Sequence, residues 1–234
     1  MQLERILQSQ GFGSRKDCRA LIRNGGVRVA GAEIDDPFAD VATEGLSFEV
    51  LGEPWIYREK AYLMLNKPVG YECSREPRHH RSVFALLPDP LVRRGVQSVG
   101  RLDEDTTGLL LFTDDGPFIH RWSSGKKKTP KVYEVHTKHG VDDEQIQRLR
   151  AGVLLIDEPT PVAAAACERN GECGLRLIVT EGKYHQVKRM VAAAGNRVIG
   201  LHRPQIGGLS LPPDLPVGQW RWLDEDDLAQ LAQY

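Results

Sequence analysis

The apolar positions fall into short segments with different periods. In residues 3–10, Leu3, Ile6 and Leu7 share one helical face until Gly11 and Gly13 interrupt it. Ser14 then stands as an N-cap with Asp17 at the third helical position, close to a capping box. The helix it opens puts Cys18, Leu21 and Ile22 on one side and stops at Gly25-Gly26. Val27 and Val29, a turn at Ala30-Gly31 and Glu33-Ile34 read as a short hairpin, and residues 46–51 as one more small strand. Residues 61–66 (AYLMLN) form a strand signal closed by Pro68 and Gly70. Residues 109–112 (LLLF) are an unbroken apolar run between turn signals, the pattern of a buried strand. Residues 132–137 alternate as a strand. Helices are predicted over 142–151, where Asp142, Asp143 and Glu144 complement the helix dipole, over 186–194 and over 224–231. Short strands are expected near 153–156, 162–167, 175–180, 198–202 and 206–211. Many strands, few helices and an irregular order predict an α+β fold with a mixed, mainly antiparallel sheet.

Composition adds limits. The 234 residues are 41% apolar and 27% charged, ordinary for a globular protein, with a net charge of −1. No apolar run is long enough to span a membrane, and MQLERILQSQ lacks the apolar core of a signal peptide, so a cytoplasmic location is expected. Cys18, Cys73, Cys167 and Cys173 form no CxxC pair, and His79-His80 has no acid or cysteine at ligand spacing, so no metal is expected. No glycine-rich phosphate cradle is present, which argues against a nucleotide cofactor.

The distribution of charge says more than its sum. Residues 1–30 carry Arg5, Arg15, Lys16, Arg19, Arg23 and Arg28 against Glu4 and Asp17, whereas residues 31–59 are acidic. Residues 183–203 hold Lys183, Lys188, Arg189, Arg197 and Arg203 and no acid. Local basic blocks in a neutral chain point to surfaces that face a polyanion. The composition shift and Pro54 divide the chain into residues 1–55, a linker at 56–60, and a larger domain over 61–234.

The first block, SRKDCRALIRNGGVRVAGAEI, resembles the S4 RNA-binding domain in its Ser-Arg start, Leu-Ile pair, glycine stop and Val-x-Val-x-Gly hairpin. Ala30 departs from the Asn common in that turn. The resemblance implies that Arg15, Lys16, Arg19 and Arg23 contact phosphates, supplying affinity rather than sequence choice.

Four further segments stand in order behind it: LNKPVG at 65–70, GRLDEDTTGLLLFTDDG at 100–116, KVYEV at 131–135 and EGKYHQVKRM at 181–190. Together they resemble the pseudouridine synthases of bacterial ribosomal RNA over essentially the whole chain, and within them the group that modifies small-subunit (16S) rRNA. Glu72 stands where that pattern leads one to expect an apolar residue. The resemblance implies a cofactor-free isomerisation of uridine with Asp103 as nucleophile or electrostatic partner, Lys188 as its basic partner and Tyr133 stacked on the base. It implies that Arg101 fills the position vacated by the extracted uridine, and that Lys126, Lys127, Lys128, Lys131, Arg189 and Arg203 face RNA; Lys67 is read either as a further phosphate contact or as a charge at a strand end. His185 and Gln186 are read as groups that orient the start of a helix. The implied partner is ribosomal RNA or a partly assembled small subunit, met by a monomer. Two other readings share parts of this pattern: a synthase for large-subunit (23S) rRNA, and a binding or assembly factor without catalysis. The joint presence of Asp103, Tyr133 and Lys188 argues against the second, which would have no chemical need of all three.

Overall fold

The computed structural model describes residues 1–125 and 127–234, so Lys126 lies outside the described residues. Contacts divide the chain into two units, residues 1–61 with 87–97, and residues 62–86 with 98–234.

In the first unit, α1 (Leu3–Ser9) and α2 (Arg15–Arg23) precede a four-stranded sheet. The sheet is built from β1 (Val27–Val29), β2 (Ala32–Glu33), β3 (Ser47–Val50) and β4 (Glu53–Ile56) in the order β2-β1-β3-β4. Ser14 and Asp17 form a complete capping box at the start of α2. Leu3, Ile6, Leu7, Cys18, Ile22, Val27, Phe48 and Val50 make one apolar core. Residues 53–55, which sequence reads as leading into the linker, lie in β4; Pro54 is tolerated there because β4 is an edge strand and owes no N–H to a further neighbour. Helix α3 (Asp89–Arg94), not predicted, carries Pro90 in its first turn, where proline is tolerated. Gly11 explains how α3 fits: at φ +90° it lies so close to the Pro90 carbonyl that a Cβ has no room.

In the second unit, β5 (Tyr62–Lys67), β6 (Tyr71–Glu72), β7 (Arg81–Ser82), β8 (Gln97–Ser98) and β9 (Thr106–Thr113) lead to α4 (Gly116–Ser123). Then come β10 (Lys131–Thr137), α5 (Asp143–Ala151), β11 (Ala166–Arg169), β12 (Gly174–Val179), α6 (Gln186–Ala193), β13 (Val198–Ile206), β14 (Leu209–Ser210), β15 (Trp220–Trp222) and α7 (Glu225–Leu231). The sheet runs β11-β12-β10-β13-β9-β5-β15, with β14 folded back on β13. Only the β13–β9 pairing is parallel along this path; the others are antiparallel, so the fold is α+β with a mixed sheet. The apolar run of β9 is buried on both faces. Leu109 and Leu111 join a cluster with Met64, Trp122 and Ile206, while Phe112 meets Phe84 edge-on at 5.5 Å. A separate cluster of Val135, Leu149, Leu177, Val187 and Met190 holds α5 and α6 on the sheet. No helix among the described residues is long and apolar enough to cross a membrane.

Candidate active site

The loop between β8 and β9 carries Arg101, Asp103, Glu104 and Asp105. It is held from below by Lys67, the last residue of β5. That side chain is fully buried, and its ammonium donates to the carbonyl oxygens of Pro68 at 3.0 Å, Asp103 at 3.0 Å, Glu104 at 3.2 Å and Thr106 at 2.9 Å. Burial draws its pKa below the ordinary lysine value, against the pull of the acids nearby. Lys67 is therefore a ligand of the loop's main chain, neither a phosphate contact nor a free charge at a strand end. The Leu102 amide donates to the Cys73 sulfur at 3.4 Å, a second tie. Burial pushes the Cys73 thiol up, so it stays neutral and serves as filler.

The Asp103 carboxylate is held from the other side. Lys188 on α6 donates to its Oδ2 at 2.9 Å and also reaches Asp105 Oδ1 at 2.5 Å. Burial works against charge on Lys188, but the hydrogen bonds it donates to Asp105 and Asp103 outweigh it and hold the ammonium above its ordinary range. His185 places Nε2 3.2 Å from Asp103 Oδ1. It precedes α6 with φ +46° and makes no side-chain cap bond, so its ring is spent on Asp103 rather than on the helix. Gln186 does orient the helix start: its side-chain oxygen accepts from the Lys183 amide at 3.0 Å.

Tyr133 lies half-buried on β10, opposite an irregularity in β13. Val132 pairs with Gln205 and Glu134 with His202, so the single residue Tyr133 faces both Arg203 and Pro204. Proline cannot extend the ladder, and the bulge accommodates it. Gly108 of β9 pairs with Arg203 on one side and Lys67 on the other, and a Cβ there would overlap the Arg203 main chain. The glycine of the TTGLLL string thus lets β13 come close. Arg203 donates to the Leu109 carbonyl at 3.0 and 2.8 Å and to the Tyr133 hydroxyl at 3.4 Å. It is buried, as is Lys131, whose ammonium donates to the Thr129 carbonyl at 2.9 Å. Burial, then the neighbouring Arg203, lowers the Lys131 pKa to about 8. A surface phosphate contact is therefore the wrong picture for both; they line the inside of a cavity.

That cavity has a volume of about 820 Å³, and its wall includes Asp103, Asp105, Lys131, Tyr133, Lys188 and Arg203. Arg101 is exposed and lines it too. One rim is the loop between β6 and β7, with Arg78, His79 and His80. Glu72 holds this loop: its carboxylate accepts from the amides of Arg78 at 3.1 Å, His79 at 2.9 Å and His80 at 2.9 Å. The acid that departs from the expected pattern is thus a loop organiser, a role no side-chain spacing announces. Hydrogen bonds from the Arg78 and His79 amides, chiefly, keep its pKa low.

The remaining predicted cations are scattered. Arg15, Lys16 and Arg23 are exposed on α2, whereas Arg19 is bonded to Glu4, buried in the first unit. Lys127 and Lys128 are exposed. Arg189 donates to the Tyr184 carbonyl at 3.2 Å and reaches Asp157 at 3.4 Å. Among the described residues no cluster of three or more His, Cys, Asp or Glu could hold a metal ion.

A family model for RNA pseudouridylate synthase matches residues 61–193. The uncharacterized RNA pseudouridine synthase YtzG of Bacillus subtilis is 41% identical over 236 residues, covering 100% of this chain and 99% of its own. Ribosomal small subunit pseudouridine synthase A of Escherichia coli K12 is 37% identical over 238 residues, covering 99% of this chain and 100% of its own. A crystal structure of a pseudouridylate synthase matches with TM-score 0.70 and 33% identity over 99% of this chain and 100% of that one. The chain belongs to the RNA pseudouridylate synthase family.

Proposed function

We propose that this enzyme isomerises a specific uridine to pseudouridine in small-subunit ribosomal RNA, without a cofactor, using Asp103. The observation that carries the reading is the Asp103 carboxylate on the cavity wall, gripped by Lys188 and His185 with its main chain fixed by Lys67. Isomerisation breaks the N1–C1′ bond, turns the base and joins C5 to C1′; a proton leaves C5 and one is gained at N1. The balance is redox-neutral and needs no co-reactant. Asp103 works at the sugar–base junction, and Lys188 fixes its orientation. Tyr133 lies against the base and Arg101 fills the position the uridine leaves. Arg15, Lys16 and Arg23 of the first unit, read as an S4-like module, supply phosphate contacts to the monomer. The small-subunit assignment is supported by relatives named ribosomal small subunit pseudouridine synthase A, 35–38% identical over nearly their whole length.

The test is to map pseudouridines in ribosomal RNA from cells with and without the protein. One small-subunit pseudouridine is expected to disappear and to return with the wild-type gene but not with Asp103→Asn, which should be slower by roughly 10³-fold or more in vitro. Loss of a large-subunit site instead, or full activity of Asp103→Asn, would overturn the assignment.

A further inference from the structure

Tyr184 precedes His185 on the cavity rim, and it is 69% exposed. One face of its ring is stacked on His185, with centroids 3.9 Å apart and planes 19° from parallel. His185 in turn contacts Asp103 at 3.2 Å. The two rings therefore form a short stack that begins beside the carboxylate and ends in solvent.

The stack is built rather than incidental. His185 has a left-handed backbone, a conformation that strains a non-glycine residue and is kept where the surroundings enforce it. The main chain on either side is pinned. Arg189 donates to the Tyr184 carbonyl at 3.2 Å, Gln186 accepts from the Lys183 amide at 3.0 Å, and the Lys183 ammonium is bonded to Glu158 at 2.7 Å. A large aromatic ring is thus held to the surface on a fixed support.

We propose that the outer face of Tyr184 is a stacking subsite for a nucleobase adjacent to the target uridine. This rests on the functional reading above. A uridine drawn out of its strand leaves two neighbours, each with one face uncovered; Arg101 in the vacated position covers one, and an aromatic platform beside the reacting carboxylate covers the other. Such stacking tolerates any base, so the subsite contributes affinity and holds the strand in place without choosing sequence.

The experiment uses a small-subunit rRNA transcript whose target uridine has been mapped, with wild-type activity established first; if the wild type does not isomerise it, the functional reading fails and not this inference. Tyr184→Ser is then expected to raise KM about tenfold or more, the loss expected for one stacked base, with kcat within about threefold. Tyr184→Phe keeps the ring and is expected to stay within about twofold of the wild type. With 2-aminopurine beside the target, binding should quench its fluorescence in the wild type and Tyr184→Phe, but not in Tyr184→Ser. Equal quenching by all three, equal loss in Phe and Ser, or a loss in kcat instead of KM each overturns the proposal. The last would mean that the ring serves His185 and Asp103, not RNA.

Discussion

The floor and the rim of the cavity carry the same kinds of side chain under opposite conditions. On the floor, Lys131 and Arg203 are buried and bonded to main-chain carbonyls, and Lys67 is held in the same way beneath the loop that carries Asp103. On the rim, Arg78, His79 and Arg101 are exposed. A buried cation with fixed acceptors sets geometry, and removing it leaves carbonyl groups without partners. An exposed cation supplies attraction that salt screens. Lys188 stands between these conditions: partly buried, it is bonded to carboxylates rather than carbonyls. The difference teaches that the charge of a residue says little about its work until its acceptors are known.

Four measurements press on this contrast. Lys188→Met should have the largest effect, lowering kcat by about 10²-fold or more with a smaller change in KM, because Asp103 loses its cationic partner. An unchanged kcat in single-turnover assays would put Lys188 with the rim. Lys67→Met should cost about 3 kcal/mol of stability in urea unfolding, since its carbonyl acceptors lose their donor together. If stability holds while RNA affinity drops, Lys67 belongs to the rim after all. Lys131 gives a pH test. Its folded pKa of about 8 lies below the ordinary lysine value of 10.5, so between those values the unfolded chain binds more protons than the folded one and stability rises with pH. The wild type should therefore gain on Lys131→Met as pH climbs through this window, and parallel curves would contradict the burial argument. Arg78→Ala should have the smallest effect, raising KM about threefold and reducing the salt slope of RNA binding by about one.

Much of the frame was legible in the sequence because it depends on near neighbours. The Ser14–Asp17 box, the apolar run of β9 and the start of α6 at Gln186 all rest on local rules. What escaped depends on distant partners. Lys67 reads as a charge at a strand end because the loop that buries it lies 36 to 39 residues away. Pro204 breaks the pattern of β13 and hides a nine-residue strand, since only the bulge opposite Tyr133 makes proline acceptable. His185 reads as a helix-start residue, and it does stand at the N-cap of α6; that its left-handed backbone also brings the ring to Asp103 is something no periodicity encodes. α3 and β15 are six and three residues long, too short to show a period.

The loop between β6 and β7 has one more consequence. Three successive amides pointing at one spot make a concavity that takes an anion, commonly one recruited from solution. Here Glu72 fills it from within the chain. A tethered counter-ion cannot be diluted away, because its effective concentration is set by a few bonds of chain rather than by the buffer. The rim is therefore shaped before any RNA arrives, and phosphate or sulfate in the medium has little to compete for. Because the glutamate's pKa is depressed, the arrangement comes apart only as pH falls through a value below 4.5, well outside neutral conditions.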